Sequence, residues 1–121
     1  MDAETITQVL QQLSNTADVT IPDTPPPDYQ PMNWDSTRQL EKQGVCFAPH
    51  SVPHNILSRL NQKSMEQEIN QSWKIINSEL ENPLKVFCYP NGRPIDFGSR
   101  EIETLKKAGF LGAVSTTPDY V

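Results

Sequence analysis

The N-terminal stretch of the chain has the hydrophobic spacing of an α-helix. Four aliphatic side chains recur at i, i+3, i+4 and i+7: Ile6, Val9, Leu10 and Leu13. This spacing predicts an amphipathic helix over residues 3–14, capped by Asp2 and ended at Ser14–Asn15. A stripe of this kind is the ordinary signal of a packed helix face, so we expect it to pack rather than to bind a ligand.

Proline interrupts the helical pattern in the segment that follows. Five of the 11 prolines fall between Pro22 and Pro31. Because proline lacks an N–H donor and fixes φ, this segment cannot be a helix or a central strand. We expect an extended connection on the surface.

Residues 33–117 alternate between helical and strand-like patterns. The predicted helices cover residues 35–43, 64–82 and 99–108, and the predicted strands cover residues 45–48, 84–89 and 111–115. Strands that alternate with helices predict an α/β fold with a parallel sheet and right-handed crossovers. Short apolar strands of this kind are typical of a sheet buried on both faces.

Each of these helices has its own start signal and apolar stripe. Asn33 or Asp35 caps the first helix. A capping box formed by Ser64 and Gln67 opens the second helix, and Ser99 caps the third. The side chains expected in the core are Trp34, Met65, Ile69, Trp73, Ile76, Leu80, Ile102, Leu105 and Ala108.

Charge and composition divide the chain near Pro31. The 121 residues carry a net charge of −5, all of which lies in residues 1–31, where there is no Lys or Arg. We therefore separate an acidic, helical and proline-rich segment, residues 1–30, from residues 31–121. Hydrophobic residues make up 36% of the chain. This is below the usual share of about 45–50%, so we expect a thin core.

Composition also excludes several classes of function. The acidic balance argues against a nucleic-acid-binding surface. No stretch approaches the roughly 20 apolar residues of a membrane span. The N-terminus carries Asp2 and Glu4 and lacks the basic region of a signal peptide, which leaves localisation undetermined. Cys46 and Cys88 lie inside predicted strands, where we expect buried thiols rather than nucleophiles.

The two histidines of the chain are the first candidates for chemistry. His50 and His54 are four residues apart, just beyond a predicted strand. One helical turn would bring both imidazoles to the same side, and neutral imidazole is a common zinc ligand. The spacing also fits two unrelated histidines, and no nearby Asp or Glu stands out as a third ligand.

A second candidate site follows the next predicted strand. Residues 89–92 have the sequence Tyr-Pro-Asn-Gly, and Gly92 can supply a positive φ for a tight turn. One interpretation is a strand followed by a turn. The other is a pocket wall in which Tyr89 meets substrate and backbone N–H groups meet an oxyanion.

These motifs, in this order, resemble one enzyme family. Residues 47–58 contain His-Ser-Val-Pro-His followed by Leu-Ser, which resembles the His-Ser/Thr-x-x-His motif of the polysaccharide deacetylase (NodB-homology) family. Residues 87–94 resemble that family's Phe-x-Tyr-Pro-x-Gly motif. The other matching segments are residues 32–35, 105–110 and 113–117.

The resemblance implies a fold, a reaction and a site. The fold would be a distorted (β/α) barrel, with residues 31–121 as its central part and residues 1–30 as a helical insertion. The reaction would be hydrolysis of an N-acetyl group, or with less support an O-acetyl group, on a polysaccharide or oligosaccharide. By this pattern His50 and His54 are ligands of a divalent metal, usually zinc. The expected substrate-binding residues are Tyr89, Pro90, Asn91 and Gly92.

The chain also departs from the family's pattern. It contains no Asp-Asp pair and no third histidine, so the third metal ligand, the catalytic base and the late acid are not identifiable in it. Cys88 stands where an arginine is frequent, and Pro49 replaces a small residue. One hypothesis is a deacetylase whose missing residues lie on adjoining sequence or a partner chain. The alternative is a non-catalytic remnant that binds a glycan or a partner. Under either hypothesis we expect the isolated chain to be inactive.

Overall fold

The chain separates into two compact units, Met1–Met32 and Asn33–Val121. They are seen in a computed structural model that describes residues 3–117. No helix among these residues is long and apolar enough to cross a membrane.

The first unit is built around one helix, α1, which spans Ala3–Ala17. The helix runs past the predicted end at Ser14–Asn15 and stops where Asp18 adopts a left-handed φ of 52°. The predicted cap, Asp2, lies outside the described residues. The expectation of a packed stripe is wrong for Val9, Leu10 and Leu13, which are all exposed. The proline-rich segment is exposed, as predicted, and bends through a short 3-10 helix at Pro27–Tyr29.

The second unit is a mixed α/β structure. Its helices are α2 (Trp34–Lys42), α3 (Gln62–Glu79) and α4 (Ser99–Lys107), with a 3-10 turn at Leu57–Arg59. Its strands are β1 (Val86–Cys88) and β2 (Gly112–Val114). The strands pair in parallel, with Val86 beside Gly112 and Cys88 beside Val114, and α4 connects them. The predicted parallel α/β arrangement is therefore confirmed, as a two-stranded sheet.

The core of this unit forms around Phe87, whose side chain is fully buried. Phe87 meets Tyr89 and Phe110 in edge-on ring contacts with centroids 5.7 Å apart. The other members of the buried cluster are Leu57, Met65, Ile69 and Leu105, with Leu60, Trp73, Phe97 and Ala108 packed around them. The predicted core residues are largely confirmed. Trp34 and Ile102 are exceptions, because each is 39% exposed.

The predicted strand over residues 45–48 is absent, and this segment is irregular. It still lies along β1, because the Leu84 and Cys88 N–H groups donate to the carbonyls of Phe47 and Pro49. Pro49 has no N–H to donate in return, so a regular ladder cannot form. The segment is consequently less buried than predicted, and Cys46 is an exposed thiol rather than a core one.

Helix starts also differ from prediction in two places. The side chain of Asn33 caps α2 as predicted, accepting from the Ser36 N–H. Helix α3, however, is capped by Asn61, whose side-chain oxygen accepts from the Ser64 N–H at 2.9 Å. Helix α4 begins after Gly98, whose N–H donates to the Glu101 carboxylate at 2.7 Å. Ser64 and Ser99 therefore lie inside their helices and are not caps.

The position of the α3 cap gives a first test. Replacing Asn61 with alanine is expected to lower the free energy of unfolding by about 1 kcal/mol, because the Ser64 N–H loses its acceptor. The Ser64→Ala variant should change it by less than about 0.5 kcal/mol. Urea unfolding of both variants measures the difference. If Ser64→Ala lowers the free energy of unfolding more than Asn61→Ala does, the predicted capping box of Ser64 and Gln67 stabilises the start of α3 and Asn61 does not.

Candidate metal and substrate site

The structure brings the two histidines together. The ring centroids of His50 and His54 are 4.7 Å apart, and the ring planes are inclined by 70°. The expected helical turn is wrong, because residues 50–56 form an irregular loop. Ser51 and His54 instead adopt left-handed φ values of 68° and 61°. Non-glycine residues rarely adopt this conformation, and it is concentrated at functional sites.

One contact fixes the orientation of the His50 ring. Its Nδ1 lies 2.9 Å from the carbonyl oxygen of Cys88, at the end of β1. A carbonyl oxygen can only accept, so Nδ1 carries the proton in this contact. The lone pair of the neutral ring is then on Nε2. Metal-binding histidines in proteins are commonly oriented in this way.

A carboxylate that sequence analysis did not single out supports the histidine loop. Glu68, on α3, accepts from the Ser51 hydroxyl and the Val52 N–H, each at 3.1 Å, and from the Asn55 side-chain amide at 3.2 Å. Two signals pointed to it in the sequence. Glu68 borders the buried stripe of α3, and no Lys or Arg lies three or four residues away to pair with it.

The structure buries the Tyr89 side chain in the core. Tyr89 is 5% exposed and stacks on Phe97, with ring centroids 4.3 Å apart. Its hydroxyl is buried and has no hydrogen-bond partner among the described residues. Burial raises the pKa of Tyr89 to about 12, and the Glu101 charge adds to this shift. Direct contact of the Tyr89 side chain with substrate stays a prediction.

The backbone donors of the following turn are largely used within the fold. The Tyr89 N–H donates to the Val114 carbonyl at 3.1 Å, and the Gly92 N–H donates to the Pro90 carbonyl at 2.8 Å. Pro90 has no N–H. Within residues 89–92, only the Asn91 N–H has no acceptor among the described residues. Asn91 is exposed, and its φ of 61° is left-handed.

Thr116 holds this turn from the other side. Its N–H donates to the Gly92 carbonyl at 3.0 Å, and its hydroxyl donates to the Asn91 carbonyl at 2.7 Å. The carbonyl in the same peptide group as the Asn91 N–H, that of Pro90, accepts from the Gly92 N–H. With this carbonyl and the two that follow it engaged, the Asn91 N–H has a defined direction. The turn is therefore attached to the segment that follows β2.

An ion pair between the buried Asp96 and the exposed Arg93 closes the end of the turn, next to the 3-10 turn that follows the histidine loop. Asp96 is only 2% exposed, and its carboxylate accepts from the backbone N–H and the guanidinium of Arg93 at 2.9–3.3 Å. The Asp96 carbonyl in turn accepts from the Ser58 N–H at 3.4 Å. Hydrogen bonds from Arg93 hold the pKa of the Asp96 carboxyl below its ordinary value of 3.8.

This lowered pKa predicts a pH dependence. The folded-state pKa of Asp96 is lower than the unfolded one, so its contribution to stability is complete above about pH 4 and is lost as the pH falls further. The difference in unfolding free energy between the wild type and Asp96→Asn should be constant from about pH 7 to 5 and shrink below about pH 4. Urea unfolding across this range measures it. A difference that grows towards low pH would contradict this account.

The remaining polar groups leave the metal-ligand set incomplete. No group of three His, Cys, Asp or Glu side chains that could hold a metal occurs among residues 3–117. Burial raises the pKa of the Cys88 thiol, which disfavours the thiolate form. Among the described residues, the two imidazoles are therefore candidate metal ligands without a third ligand beside them. Beside His50 is a groove of about 270 Å³, with the half-exposed Trp34 in its wall.

Comparison with known proteins identifies the family. No curated protein and no solved structure matches the chain. The family model described as polysaccharide deacetylase matches residues 4–113, which is most of the 121 residues. This match agrees with the motifs at the histidine loop and at the turn after β1. The chain belongs to the polysaccharide deacetylase family.

Proposed function

We propose that this chain contributes the histidine part of a metal-dependent site that removes acetyl groups from a polysaccharide. One observation carries the proposal. The imidazoles of His50 and His54 converge, and the Nδ1 of His50 is engaged by the Cys88 carbonyl. Membership of the polysaccharide deacetylase family supports a polysaccharide substrate and a deacetylase-like activity.

The donor set fits two positions of a zinc site. Neutral imidazole is a usual ligand of Zn²⁺, and the Nε2 of His50 is left available by its contact with Cys88. A bound divalent metal would polarise the acetyl carbonyl and lower the pKa of a water molecule. Because the described residues supply no third ligand, we propose that a carboxylate from adjoining sequence or from a partner chain completes the site.

The chain also offers groups for the substrate itself. The Asn91 N–H, which has no acceptor among the described residues, is the donor that we propose for the acetyl oxygen. The groove beside His50 has the half-exposed indole of Trp34 in its wall, and we propose that it receives a sugar ring. We favour an N-acetyl over an O-acetyl substrate, as the resemblance implies.

The proposal predicts binding without turnover for the chain alone. With excess zinc, the 121-residue chain should bind an N-acetylglucosamine oligomer more tightly than the deacetylated oligomer of the same length, and chelation should abolish the preference. It should release no more acetate than a zinc-only blank, because two imidazoles cannot replace a catalytic base.

Isothermal titration and an acetate assay measure these two quantities. The proposed function would be contradicted if the oligomer affinity were the same with and without zinc and the same for the acetylated and deacetylated oligomers. It would favour the alternative of a non-catalytic remnant that binds a glycan or a partner. Robust acetate release that depends on His50 would show that the chain has a base that its sequence does not reveal.

A further inference from the structure

The loop that carries both histidines is held by one carboxylate from a different element. Glu68 lies on α3 and accepts three hydrogen bonds from the loop, from Ser51, Val52 and Asn55. One carboxylate oxygen accepts from Ser51 and Val52, while the other accepts from the Asn55 amide. Both oxygens of Glu68 are therefore committed to the segment between and after the two histidines.

The same contacts surround the unusual backbone of this loop. Ser51 and His54 have left-handed φ values, and the Ser51 hydroxyl also accepts from the Asn55 N–H at 3.1 Å. Backbone conformations of this kind persist where surrounding interactions over-determine them. Ser51 follows His50 directly and Asn55 follows His54 directly. Glu68 thus fixes the residue next to each imidazole.

We propose that Glu68 is a positioning residue that sets the spacing and relative orientation of the His50 and His54 rings. It does not touch the metal or the substrate in this assignment, and it acts through Ser51 and Asn55. The importance of this role for catalysis rests on the proposed function, but the geometric role does not.

The donors and acceptors around Glu68 suggest two single substitutions and a double variant that test its role. In Glu68→Gln one oxygen becomes an NH₂ group, which can only donate. If the new donor faces the Val52 N–H, that group loses its acceptor; if it faces Asn55, the Asn55 amide must rotate to present its oxygen. In either orientation the remaining hydrogen bonds lose the charge of the carboxylate and weaken. Asn55→Asp instead places a second carboxylate against Glu68, and the two charges repel. The double variant restores the pattern, because the NH₂ group introduced by Glu68→Gln can donate to the carboxylate introduced by Asn55→Asp.

Two readouts separate positioning from general stability. The first is the nuclear Overhauser effect between the ring protons of His50 and His54 in the metal-free full chain, where the centroids are 4.7 Å apart. The second is the Zn²⁺ dissociation constant. Glu68→Gln and Asn55→Asp should each lose the inter-ring effect and weaken zinc binding about 10-fold or more. The double variant should recover both to within about threefold of wild type.

Glu66→Gln is the matched control, because Glu66 lies on the same helix and, among residues 3–117, its carboxylate accepts only from Gln62. It should match the wild type in both readouts. If Glu68→Gln keeps the inter-ring effect and zinc affinity while only its unfolding temperature falls, Glu68 is merely structural and the proposal is wrong. A double variant no better than the single variants would also overturn it.

The experiment still tests the role of Glu68 if one variant does not fold or if the wild type binds no zinc. If Glu68→Gln does not fold, Asn55→Asp and the double variant decide, because Asn55 is on the loop rather than in the core. If the wild type binds no zinc, the proposed function fails, but the inter-ring effect still decides the role of Glu68.

Discussion

Replacing His50 with alanine is expected to weaken zinc binding by the full chain at least about 100-fold, because one of only two imidazole ligands is removed. His54→Ala should cause a loss of similar size. Of the two histidines, only His50 contacts the Cys88 carbonyl. A loss of zinc affinity that both variants share therefore reports the ligand role, and any extra loss in His50→Ala reports the contact with Cys88. Isothermal titration with Zn²⁺ measures both dissociation constants.

Cys46→Ser is the control for this experiment. Cys46 is an exposed thiol close in sequence to His50, and thiolates bind zinc strongly. Cys46 has no ligand role in the proposed site, so its replacement should leave the dissociation constant within about twofold of wild type. If zinc affinity falls in Cys46→Ser and is unchanged in His50→Ala, zinc binds at Cys46 and not at the histidine pair.

Gly92→Ala is expected to lower the free energy of unfolding by about 2–3 kcal/mol, from two causes. Gly92 has a φ of 63°, which L side chains rarely adopt. A Cβ atom there would also lie 2.9 Å from the Thr116 nitrogen and 3.2 Å from the Ser115 Cα. Both neighbours are backbone atoms and cannot swing away. The turn would have to open, which would also displace the Asn91 N–H.

Gly112→Ala is the matched control, because a Cβ atom at Gly112 meets nothing within 4 Å and Gly112 has no positive φ. Its free energy of unfolding should stay within about 0.5 kcal/mol of wild type. Chemical unfolding of both variants under one set of conditions gives the comparison. Equal stability of Gly92→Ala and the wild type would mean that Thr116 does not hold the turn as tightly as the structure shows.

The elements of the second unit followed from the sequence where local signals and packing agreed. The stripe of α3 from Met65 to Leu80 was predicted because a 3.6-residue period over several turns is a strong signal. The helix starts were less well predicted, because Asn61 and Ser64 are both good caps and only the actual path of the chain selects one. The expected strand after α2 failed because Pro49 removes a donor that a ladder requires.

The site was predicted in part for a similar reason. The spacing of His50 and His54 suggested that they converge, but the helical turn expected to bring them together is absent. A loop with two left-handed residues does so instead, and its support comes from Glu68, 14 positions after His54. The burial of Tyr89 depends on its packing against Phe97, which lies on a later loop. Contacts between separate segments of this kind leave little trace in a local pattern.

The most direct test of the histidine pair is a zinc titration of the metal-free, ¹⁵N-labelled full chain, observed through the ring nitrogens. Before zinc is added, Nδ1 of His50 should carry the proton, as its hydrogen bond to the Cys88 carbonyl requires. On addition of zinc, Nε2 of His50 should shift together with a ring nitrogen of His54, and the His54 shift should be largely lost in His50→Ala. Ring nitrogens that do not respond to zinc, or a His54 response unchanged in His50→Ala, would contradict the metal site.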